Sequence, residues 1–261
     1  DRGYQFADGV YEVFAVIDKK IVDYDGHLNR LFRSLNEISL KSPIVKESYL
    51  FHIRNLIHKN NIQDGLIYLQ ITRGVAQRDF KFPKNVNSSI VITAKSISMV
   101  NYHSKFENGI KVKTTEDLRW KRVDIKTLNL LPPVLAKQKA VENGCEEAWM
   151  IDSDGYITEG SSSNAWILIE DKLITTPATT SILKGITRTS LIYALKKEKI
   201  KLIEKRFNKK DIKVANEAFI TSATQFVMPV VKVDNILIGN GKVGKYAHIF
   251  REAYMEAIQL I

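Results

Sequence analysis

Asp124-Ile125-Lys126-Thr127-Leu128-Asn129-Leu130-Leu131 is the most informative stretch of this sequence, because it places a lysine between apolar neighbours. Such a lysine is a candidate buried amine. Burial favours the neutral, nucleophilic form of an amine over its ammonium form. An ordinary surface lysine fits the same local pattern. The residues found elsewhere in the chain therefore have to decide between the two interpretations of Lys126.

The composition predicts a soluble globular protein. The chain has 261 residues, of which 44% are hydrophobic and 26% charged, enough for one large or two modest cores. No apolar run approaches the roughly 18 residues that a membrane-spanning helix needs, so we expect no membrane partner. No signal peptide is visible, although the sequence begins at Asp1 without a methionine, which weakens that argument.

Cysteine and histidine usage argues against disulfides and metal centres. Cys145 is the only cysteine, which excludes an internal disulfide framework and favours a reducing, cytoplasmic compartment. The five histidines lack the spacing of metal ligands, so we expect no metal site.

The formal charge of +10 is concentrated in one segment. Residues 196–213 contain nine Lys or Arg and three Asp or Glu, a local net charge of +6. Nucleic-acid binding is one interpretation of such a patch. A solvated helix face and strand edge is the interpretation that we favour, because aromatic residues are scarce there and no nucleic-acid motif is present. A positive surface would also attract small anionic substrates.

Hydrophobic periodicity predicts a small α+β domain over residues 1–98. Within it, we expect strands at 9–17, 66–72 and 89–94, a helix capped by Asp25 with an apolar face, and a helix at 47–59. The segment 99–108 that follows shows no clear period, and we interpret it as an interdomain connection.

Residues 109–261 are expected to form a larger domain. Hairpins are predicted at 147–158 and 164–175, and helices at 133–143, from Gly185 to about Lys199, and at 245–258. Gly239-Asn240-Gly241-Lys242-Val243-Gly244 matches a dinucleotide-binding fingerprint literally, and Lys245 extends it to a phosphate-loop pattern. No strand can follow so near the C terminus, so we interpret the segment as a turn leading into the last helix.

Four further motifs accompany Lys126 in a characteristic order. They are His27-Leu28-Asn29-Arg30-Leu31, Thr158-Glu159-Gly160-Ser161-Ser162-Ser163-Asn164, Leu183-Lys184-Gly185-Ile186-Thr187-Arg188 and Thr221-Ser222-Ala223-Thr224. Together they resemble the fold type IV (class IV) pyridoxal-phosphate aminotransferases, and most closely those that act on D-amino acids such as D-alanine. The resemblance covers nearly the whole chain. It implies a two-domain α+β fold with a small N-terminal domain and a larger C-terminal domain with a barrel-like sheet.

The resemblance also implies pyridoxal 5′-phosphate as cofactor. Lys126 would form the resting imine with it and would later carry the proton between the substrate Cα and the cofactor, as both base and acid. Glu159 would hold a proton on the ring nitrogen, which keeps the ring an effective electron sink. No metal is needed for this chemistry.

The cofactor phosphate would be bound by a helix N terminus and an arginine. Gly185 would let the chain come close, so that the amides of Ile186 and Thr187, with the Thr187 hydroxyl, could donate to the phosphate. Arg30 would add charge-assisted bonds. Further cofactor contacts are implied for Ser162, Ser163, Ser222, Ala223 and Thr224. The family commonly has threonine at the position of Ala223, so a backbone amide would serve there.

The substrate carboxylate would be bound by a tyrosine from the first strand and by an Arg-x-His motif contributed across a dimer interface. Tyr11 matches the tyrosine and Arg78 the arginine, whereas Phe80 stands at the histidine position. This departure removes a hydrogen-bond donor and adds bulk. The resemblance implies a homodimer, and the departure at Phe80 predicts an affinity or a substrate choice different from that of the familiar enzymes.

Exchange of D-alanine or D-glutamate with a 2-oxo acid is the leading prediction, and two activities of the same fold are the alternatives. L-branched-chain aminotransferases usually have Phe-Glu-Gly where this chain has Tyr11-Glu12-Val13, and aminodeoxychorismate lyases usually have Cys and Ala where it has Gly160-Ser161-Ser162-Ser163. Both differences favour the D-amino acid reaction. A basic binding protein without catalysis is a hypothesis of another class, which a colourless protein that takes up no cofactor would support.

Overall fold

Two units make up the part of the chain that the structure, a computed structural model, describes, namely residues 1–197 and 200–261. Unit 1 comprises Asp1–Ser98, Ile125–Leu130 and Gln259–Ile261. Unit 2 comprises Met99–Asp124 and Leu131–Ile258. Unit 1 is therefore assembled from three separate segments, one of which carries Lys126.

Unit 1 is a four-stranded antiparallel sheet with helices. The sheet has the order β2-β1-β3-β4. β3 pairs over its whole length with β1, from Thr72 opposite Gly9 to Gly65 opposite Val16. The strands are β1 (Gly9–Ile17), β2 (Lys20–Ile21), β3 (Gly65–Thr72) and β4 (Ser89–Ser96), and the helices are α1 (Arg2–Phe6), α2 (Tyr24–Glu37) and α3 (Ser48–Lys59).

One core joins the sheet of unit 1 to α2 and α3. Alternate residues of β1 point to one side, and those at Val10, Phe14 and Val16 are fully buried. The apolar face predicted for α2 is confirmed, since its leucines belong to this core. The predicted cap at Asp25 is wrong. The helix begins at Tyr24, and its N-cap is Asp23, two residues before Asp25, in the left-handed conformation with φ 51°.

Unit 2 is built on a ten-stranded sheet. Its strands are β5 (Ile110–Glu116), β6 (Glu147–Ile151), β7 (Tyr156–Gly160), β8 (Asn164–Ile169), β9 (Lys172–Thr175), β10 (Lys201–Glu204), β11 (Phe207–Asn208), β12 (Glu217–Ser222), β13 (Phe226–Val233) and β14 (Ile236–Leu237). Its helices are α4 (Met99–Asn108), α5 (Leu131–Glu142), α6 (Ile186–Ala194), α7 (Lys209–Lys213) and α8 (Lys245–Ala257). The strand order is β10-β9-β8-β12-β13-β5-β6-β7-β11, and β14 pairs with β13.

The sheet of unit 2 curls into a barrel-like form. β7 and β8 are far apart in the strand order, yet the Asn164 side chain at the start of β8 donates to Glu159 at the end of β7 over 2.9 Å. The Thr176 hydroxyl, just past β9, likewise donates to the Ile157 carbonyl of β7 over 2.9 Å. The α+β fold predicted from the sequence, with a barrel-like sheet in its larger part, is confirmed.

The segment 99–108, which we interpreted as an interdomain connection because it shows no clear period, is helical. It forms helix α4 and belongs to unit 2. Only Tyr102 and Phe106 are buried in it, and one apolar pair four residues apart is too weak a signal to reveal a helix. The predicted end of the helix after Gly185, near Lys199, lies outside the described residues. α6 ends at Ala194 and a short 3-10 turn continues to Lys197.

The glycine-rich segment before α8 leads directly into that helix, as predicted. The Glu217 carboxylate accepts from the backbone N–H groups of Tyr246 and Ala247, each over 3.0 Å. These donors at the helix N terminus are therefore already satisfied by the protein itself. Within the described residues, none of the helices is long and apolar enough to cross a membrane.

Candidate active site

The first strand of unit 1 fixes the backbone around Lys126. The N–H of Tyr11 donates to the Lys126 carbonyl over 3.1 Å, and the N–H of Leu128 donates to the Gly9 carbonyl over 3.1 Å. Nζ of Lys126 lies 4.2 Å from the centre of the Tyr11 ring, and the lysine is half-buried. The structure thus brings together a candidate catalytic lysine and a candidate substrate-binding tyrosine.

Arg30 is held by a buried carboxylate that the sequence analysis did not assign. Glu12 is completely buried. Its two oxygens accept from Nε and one terminal nitrogen of Arg30 over 2.7 and 2.8 Å, and Nδ1 of His27 lies 2.7 Å from Oε2. His27 and Arg30 are three residues apart on α2, so both side chains face β1.

The charges of this Glu12–His27–Arg30 cluster follow from its contacts. Burial alone would raise the pKa of Glu12, but the Arg30 guanidinium and the bond from His27 lower it to about 2. Burial lowers the pKa of His27 below its ordinary value, so its imidazole is neutral at pH 7. Since the Glu12 carboxylate only accepts, Nδ1 of His27 carries the proton. Arg30 is therefore the only cation of this cluster, and its bonds to Glu12 fix its orientation.

Replacing Glu12 with glutamine is expected to destabilise the protein in a pH-dependent manner. The pKa of Glu12 is lowered from 4.5 to about 2, and this shift corresponds to about 3 kcal/mol of unfolding free energy. Because the folded-state pKa is the lower one, this stability is present above pH 4.5 and is lost as the pH falls towards 2. Urea unfolding at pH 7 and at pH 3 would measure the difference between the two proteins.

The matched control is Glu37→Gln, because Glu37 pairs with Arg33 at the surface of the same helix with a separation of 3.8 Å. This exposed pair is expected to contribute less than about 0.5 kcal/mol at either pH. An equal loss for Glu12→Gln at pH 7 and at pH 3 would show that the carboxylate charge does not stabilise the fold.

The loop after β3 holds Arg78 next to two aromatic rings. The Arg78 guanidinium carbon lies 4.9 Å from the centre of the Phe6 ring and 5.7 Å from that of Phe80. The two rings are 5.6 Å apart, and Phe80 is 81% exposed. The sequence around Phe6 does not predict a contact with Arg78, because the two residues are far apart along the chain.

Glu159 occupies a buried position in unit 2 with three donors around it. It is 4% exposed. Oε1 accepts from Arg119 over 2.5 Å and from the Leu183 N–H over 3.0 Å, and Oε2 accepts from the Asn164 amide over 2.9 Å. Burial raises the pKa of Glu159 above its ordinary value, and the Arg119 guanidinium counteracts part of that rise.

Arg119 is in turn fixed by Asp117. Nε and one terminal nitrogen of Arg119 donate to the two Asp117 oxygens over 2.9 and 2.7 Å. Burial would lower the pKa of Arg119, but its two acidic partners raise it instead. Neither Arg119 nor the role of Asn164 was predicted from the sequence. The only available signal was the presence of Asn164 inside the quoted motif.

The N terminus of α6 has the features of an anion site. Its N-cap is Gly185 in an extended conformation, with φ −61° and ψ 141°, and glycine supplies no side-chain acceptor for the first-turn amides. Thr187 is buried there. A Cβ atom on residue 185 would overlap Oδ1 of Asn164, so glycine permits this close approach. Asn164 therefore lies against the start of α6 and also donates to Glu159.

Replacing Gly185 with alanine is expected to displace Asn164 and to weaken anion binding at α6. The Asn164 amide is fixed by bonds of 2.9 Å to both Glu159 and the Leu183 carbonyl, so it cannot move away without losing them. Breaking a buried hydrogen bond costs about 1–3 kcal/mol. Thermal unfolding and titration with inorganic phosphate would measure the effect.

A double-mutant cycle identifies the cause of the Gly185→Ala effect. In an Asn164→Ala background the overlap is removed, and the same substitution at residue 185 is then expected to cost less than about 0.5 kcal/mol. An undiminished cost in that background would contradict the proposed clash.

The remaining candidate cofactor residues lie in two turns of unit 2. Ser222 and Thr224 lie with their hydroxyl oxygens 3.2 Å apart on either side of Ala223, and the Ser222 oxygen accepts from the Gln225 N–H over 3.1 Å. The Ser162 and Ser163 hydroxyls donate to the buried Glu147 carboxylate over 3.1 and 3.0 Å. Sequence analysis did not identify Glu147.

By unit, the candidates divide into two sets. Unit 1 contains Tyr11, Arg30, Arg78, Phe80 and Lys126, and unit 2 contains Glu159, Ser162, Ser163, Ile186, Thr187, Ser222, Ala223 and Thr224.

Two other kinds of site can be compared with the contacts of the described residues. No cluster of three or more His, Cys, Asp or Glu side chains in residues 1–197 and 200–261 is arranged to hold a metal ion. In the basic segment, Arg206 is paired with Asp152 and Asp154 over 2.6 and 3.0 Å, and Lys209 is paired with Asp234 over 2.8 Å. Part of its positive charge is therefore neutralised within the protein.

Comparison with known proteins gives concordant results. The family model described as amino-transferase class IV matches residues 9–233. The D-alanine aminotransferase of Staphylococcus haemolyticus is 40% identical over 261 residues, which cover 99% of this chain and 91% of that protein. The D-alanine aminotransferase of Bacillus licheniformis is 36% identical over 258 residues, 99% of this chain and 90% of that protein.

A solved structure shows the same fold at lower identity. The branched-chain amino acid aminotransferase of Escherichia coli superposes with a TM-score of 0.91 and 24% identity, covering 98% of this chain and 87% of that one. At this identity the likeness concerns the fold, which is that of the fold type IV enzymes.

Proposed function

The chain belongs to the class IV aminotransferase family, and we propose that it transfers the amino group of a D-amino acid of the D-alanine or D-glutamate type to a 2-oxo acid, with pyridoxal 5′-phosphate as cofactor. The observation that carries this proposal is the 40% identity to a D-alanine aminotransferase across 99% of the chain. The Tyr11-Glu12-Val13 and Gly160-Ser161-Ser162-Ser163 sequences support the D-amino acid reaction over the branched-chain and lyase reactions.

The donor and acceptor groups of the chain fit this cofactor. The first-turn amides of α6, next to a glycine N-cap, suit a phosphate, and the Arg30 guanidinium adds a cation that Glu12 holds in place. Glu159 offers a buried carboxylate to a ring nitrogen. When bound, the cofactor supplies an electron sink that stabilises negative charge at the substrate Cα.

In this proposal Lys126 has two tasks. Its amine would hold the cofactor covalently, and the same amine, once free, would move the proton at the substrate Cα. The Tyr11 ring, 4.2 Å from Nζ, limits the positions that the amine can take. The Arg119 guanidinium stabilises the ionised form of the Glu159 carboxylate, which can then accept a hydrogen bond from the ring nitrogen. The Asn164 amide fixes the orientation of this carboxylate.

A survey of half-reactions tests the function. Purified protein loaded with pyridoxal 5′-phosphate should be yellow, and mixing with D-alanine or D-glutamate should remove the absorbance near 400–420 nm, which is typical of the lysine-bound cofactor. L-Valine and L-leucine are the comparison substrates. Loss of the absorbance with L-amino acids alone would favour the branched-chain reaction, and a protein that stays colourless would refute the aminotransferase.

Substrate selection is proposed to rest on Tyr11 and Arg78, with Phe80 in place of a donor. Phe80→His would add an imidazole donor beside Arg78 and is expected to lower the KM for the amino acid about 3- to 10-fold, because a hydrogen bond to a charged group contributes about 1.5–3 kcal/mol before solvent screening. The kcat should change little, since the bond forms in ground and transition states alike.

Phe82→His is the control for this substitution, because Phe82 is also exposed but packs on Arg73 at 3.6 Å rather than on Arg78. Its KM should be that of the unmodified protein. A raised KM for Phe80→His would mean that Phe80 acts through its packing on Arg78 and Phe6.

The proposed assembly is a cytoplasmic homodimer without nucleic-acid or membrane partners. The dimer follows from the family resemblance of the Arg78 loop, and the cytoplasm from the single cysteine. Light scattering tests the assembly, and a monomer with full activity would contradict it.

A further inference from the structure

Three successive serine hydroxyls converge on one buried carboxylate in unit 2. Glu147, the first residue of β6, has no exposed surface. Its Oε2 accepts from the hydroxyls of Ser162 and Ser163 over 3.1 and 3.0 Å. Its Oε1 accepts from the hydroxyl of Ser161 and from the N–H of Ala148, the latter over 2.8 Å.

These bonds use the acceptor capacity of the Glu147 carboxylate. An ionised carboxylate offers about four lone-pair sites, and four donors occupy them. Nζ of Lys137 lies 3.5 Å from Oε1 and balances the charge. A buried carboxylate with this number of partners is fully satisfied, so it acts as a rigid anchor for the groups that donate to it.

The anchored turn connects Glu159 to Asn164, the residue whose side-chain amide donates to Glu159. It runs from Gly160, next to Glu159 at the end of β7, to Asn164, which donates to Glu159 from the start of β8. Its backbone is closed by a bond of 2.7 Å from the Gly160 N–H to the Ser163 carbonyl. A Cβ atom on residue 160 would overlap the Ser163 hydroxyl. The position of this turn therefore sets the position of the Asn164 amide.

The direction of the hydroxyl protons has a chemical consequence. Each serine hydroxyl has one proton to donate and two lone pairs to accept with. The protons of Ser161, Ser162 and Ser163 are all directed to Glu147. Towards any other group these hydroxyls can only accept, and donation from this turn must come from backbone N–H groups.

We propose that Glu147 is a positioning residue, which binds the protons of Ser161, Ser162 and Ser163 and thereby fixes the turn between Glu159 and Asn164 with its hydroxyls as acceptors only. The part of this inference that concerns the cofactor rests on the proposed function, in which Ser162 and Ser163 contact the cofactor. The part that concerns the turn itself does not.

Glu147→Gln tests the anchoring in the cofactor-free protein. The glutamine amide places a donor where a carboxylate oxygen accepted, so at least one serine proton loses its partner. Amide hydrogen exchange at residues 160–164 is expected to accelerate at least about tenfold, because the turn opens more readily. Glu146→Gln is the matched control, since it makes the same chemical change at the exposed neighbouring residue. Unchanged exchange in Glu147→Gln would overturn the proposal.

Cofactor release supplies the second measurement. Glu147→Gln loaded with pyridoxal 5′-phosphate should release it at least about tenfold faster than the unmodified protein, and the absorbance maximum should shift, whereas Glu146→Gln should do neither. If the unmodified protein takes up no cofactor, the proposed function fails while the exchange experiment still decides the role of Glu147. If it takes up the cofactor and Glu147→Gln releases it at the same rate, the acceptor role fails.

Ser162→Ala keeps the test decisive if Glu147→Gln does not fold. It deletes only the longest of the three hydroxyl bonds, 3.1 Å, and leaves the carboxylate in place. Exchange at residues 160–164 should accelerate by a smaller factor of about three. Exchange indistinguishable from the unmodified protein would also overturn the proposal.

Discussion

Lys126→Ala is expected to reduce the rate of transamination by at least about three orders of magnitude, since general acid–base catalysis alone contributes about 10²–10⁴-fold. The substitution removes both the covalent attachment of the cofactor and the group that moves the Cα proton. The absorbance near 400–420 nm, which borohydride treatment should abolish in the unmodified protein, should be absent from the variant. The fold should persist, because the segment is held by backbone bonds from Tyr11 and Leu128.

Two comparisons make the Lys126→Ala result specific. Lys121→Ala removes an exposed lysine that lies shortly before Lys126 in the sequence, and this variant should retain full activity. Methylamine added to Lys126→Ala should restore part of the rate, because a small free amine can take up the proton in place of the side chain. Activity of Lys126→Ala close to that of the unmodified protein would refute its catalytic role.

Removing Arg119 is expected to have the second largest effect. Burial already raises the pKa of Glu159, and Arg119 is the cation that opposes the rise. In Arg119→Leu the pKa of Glu159 should increase further, so that the carboxyl is protonated near neutral pH and cannot hold a proton on a ring nitrogen. We expect kcat/KM at pH 7 to fall about 100-fold, a loss of about 2.7 kcal/mol of transition-state stabilisation.

The pH profile separates this explanation from general damage to the fold. A raised pKa means that the ionised form returns as the pH increases, so the activity of Arg119→Leu should rise between pH 7 and pH 9. Glu159→Gln has no ionisable group at this position and should stay at its low activity over the same range. Parallel profiles for the two variants would contradict the proposed role of Arg119. Arg119→Lys, which keeps the charge, should lose less activity than Arg119→Leu.

Local sequence patterns predicted much of the fold. The apolar face of α2 is periodic, and β1 is rich in β-branched and aromatic residues, so both elements were predicted within one or two residues of their bounds. Helix α4 was missed because its buried face consists of Tyr102 and Phe106 alone. The cap of α2 was misplaced because Asp23 and Asp25 are equally good N-cap residues, and the backbone conformation that distinguishes them is not encoded in the residue type.

The candidate site was predictable only where its residues lie in contiguous motifs. Lys126, Glu159 and the Gly185 helix start each lie within one of the short motifs whose combined order carries the family resemblance. Arg119 and Glu147 cannot, because they act on Glu159 and on Ser162 from separate strands and loops. Phe6 is remote in sequence from Arg78, and only folding brings the two together.

The three-segment construction of unit 1 limits how this protein can be divided by engineering. The last residue, Ile261, exchanges backbone bonds of 2.9 and 3.2 Å with Ile21 in strand β2, and Ile125–Leu130 belongs to the same unit. A fragment expressed from Asp1 to Ser98 would lack both Lys126 and this edge partner. Swapping the N-terminal part between homologous enzymes would therefore require the lysine segment and the terminal tripeptide to be exchanged with it.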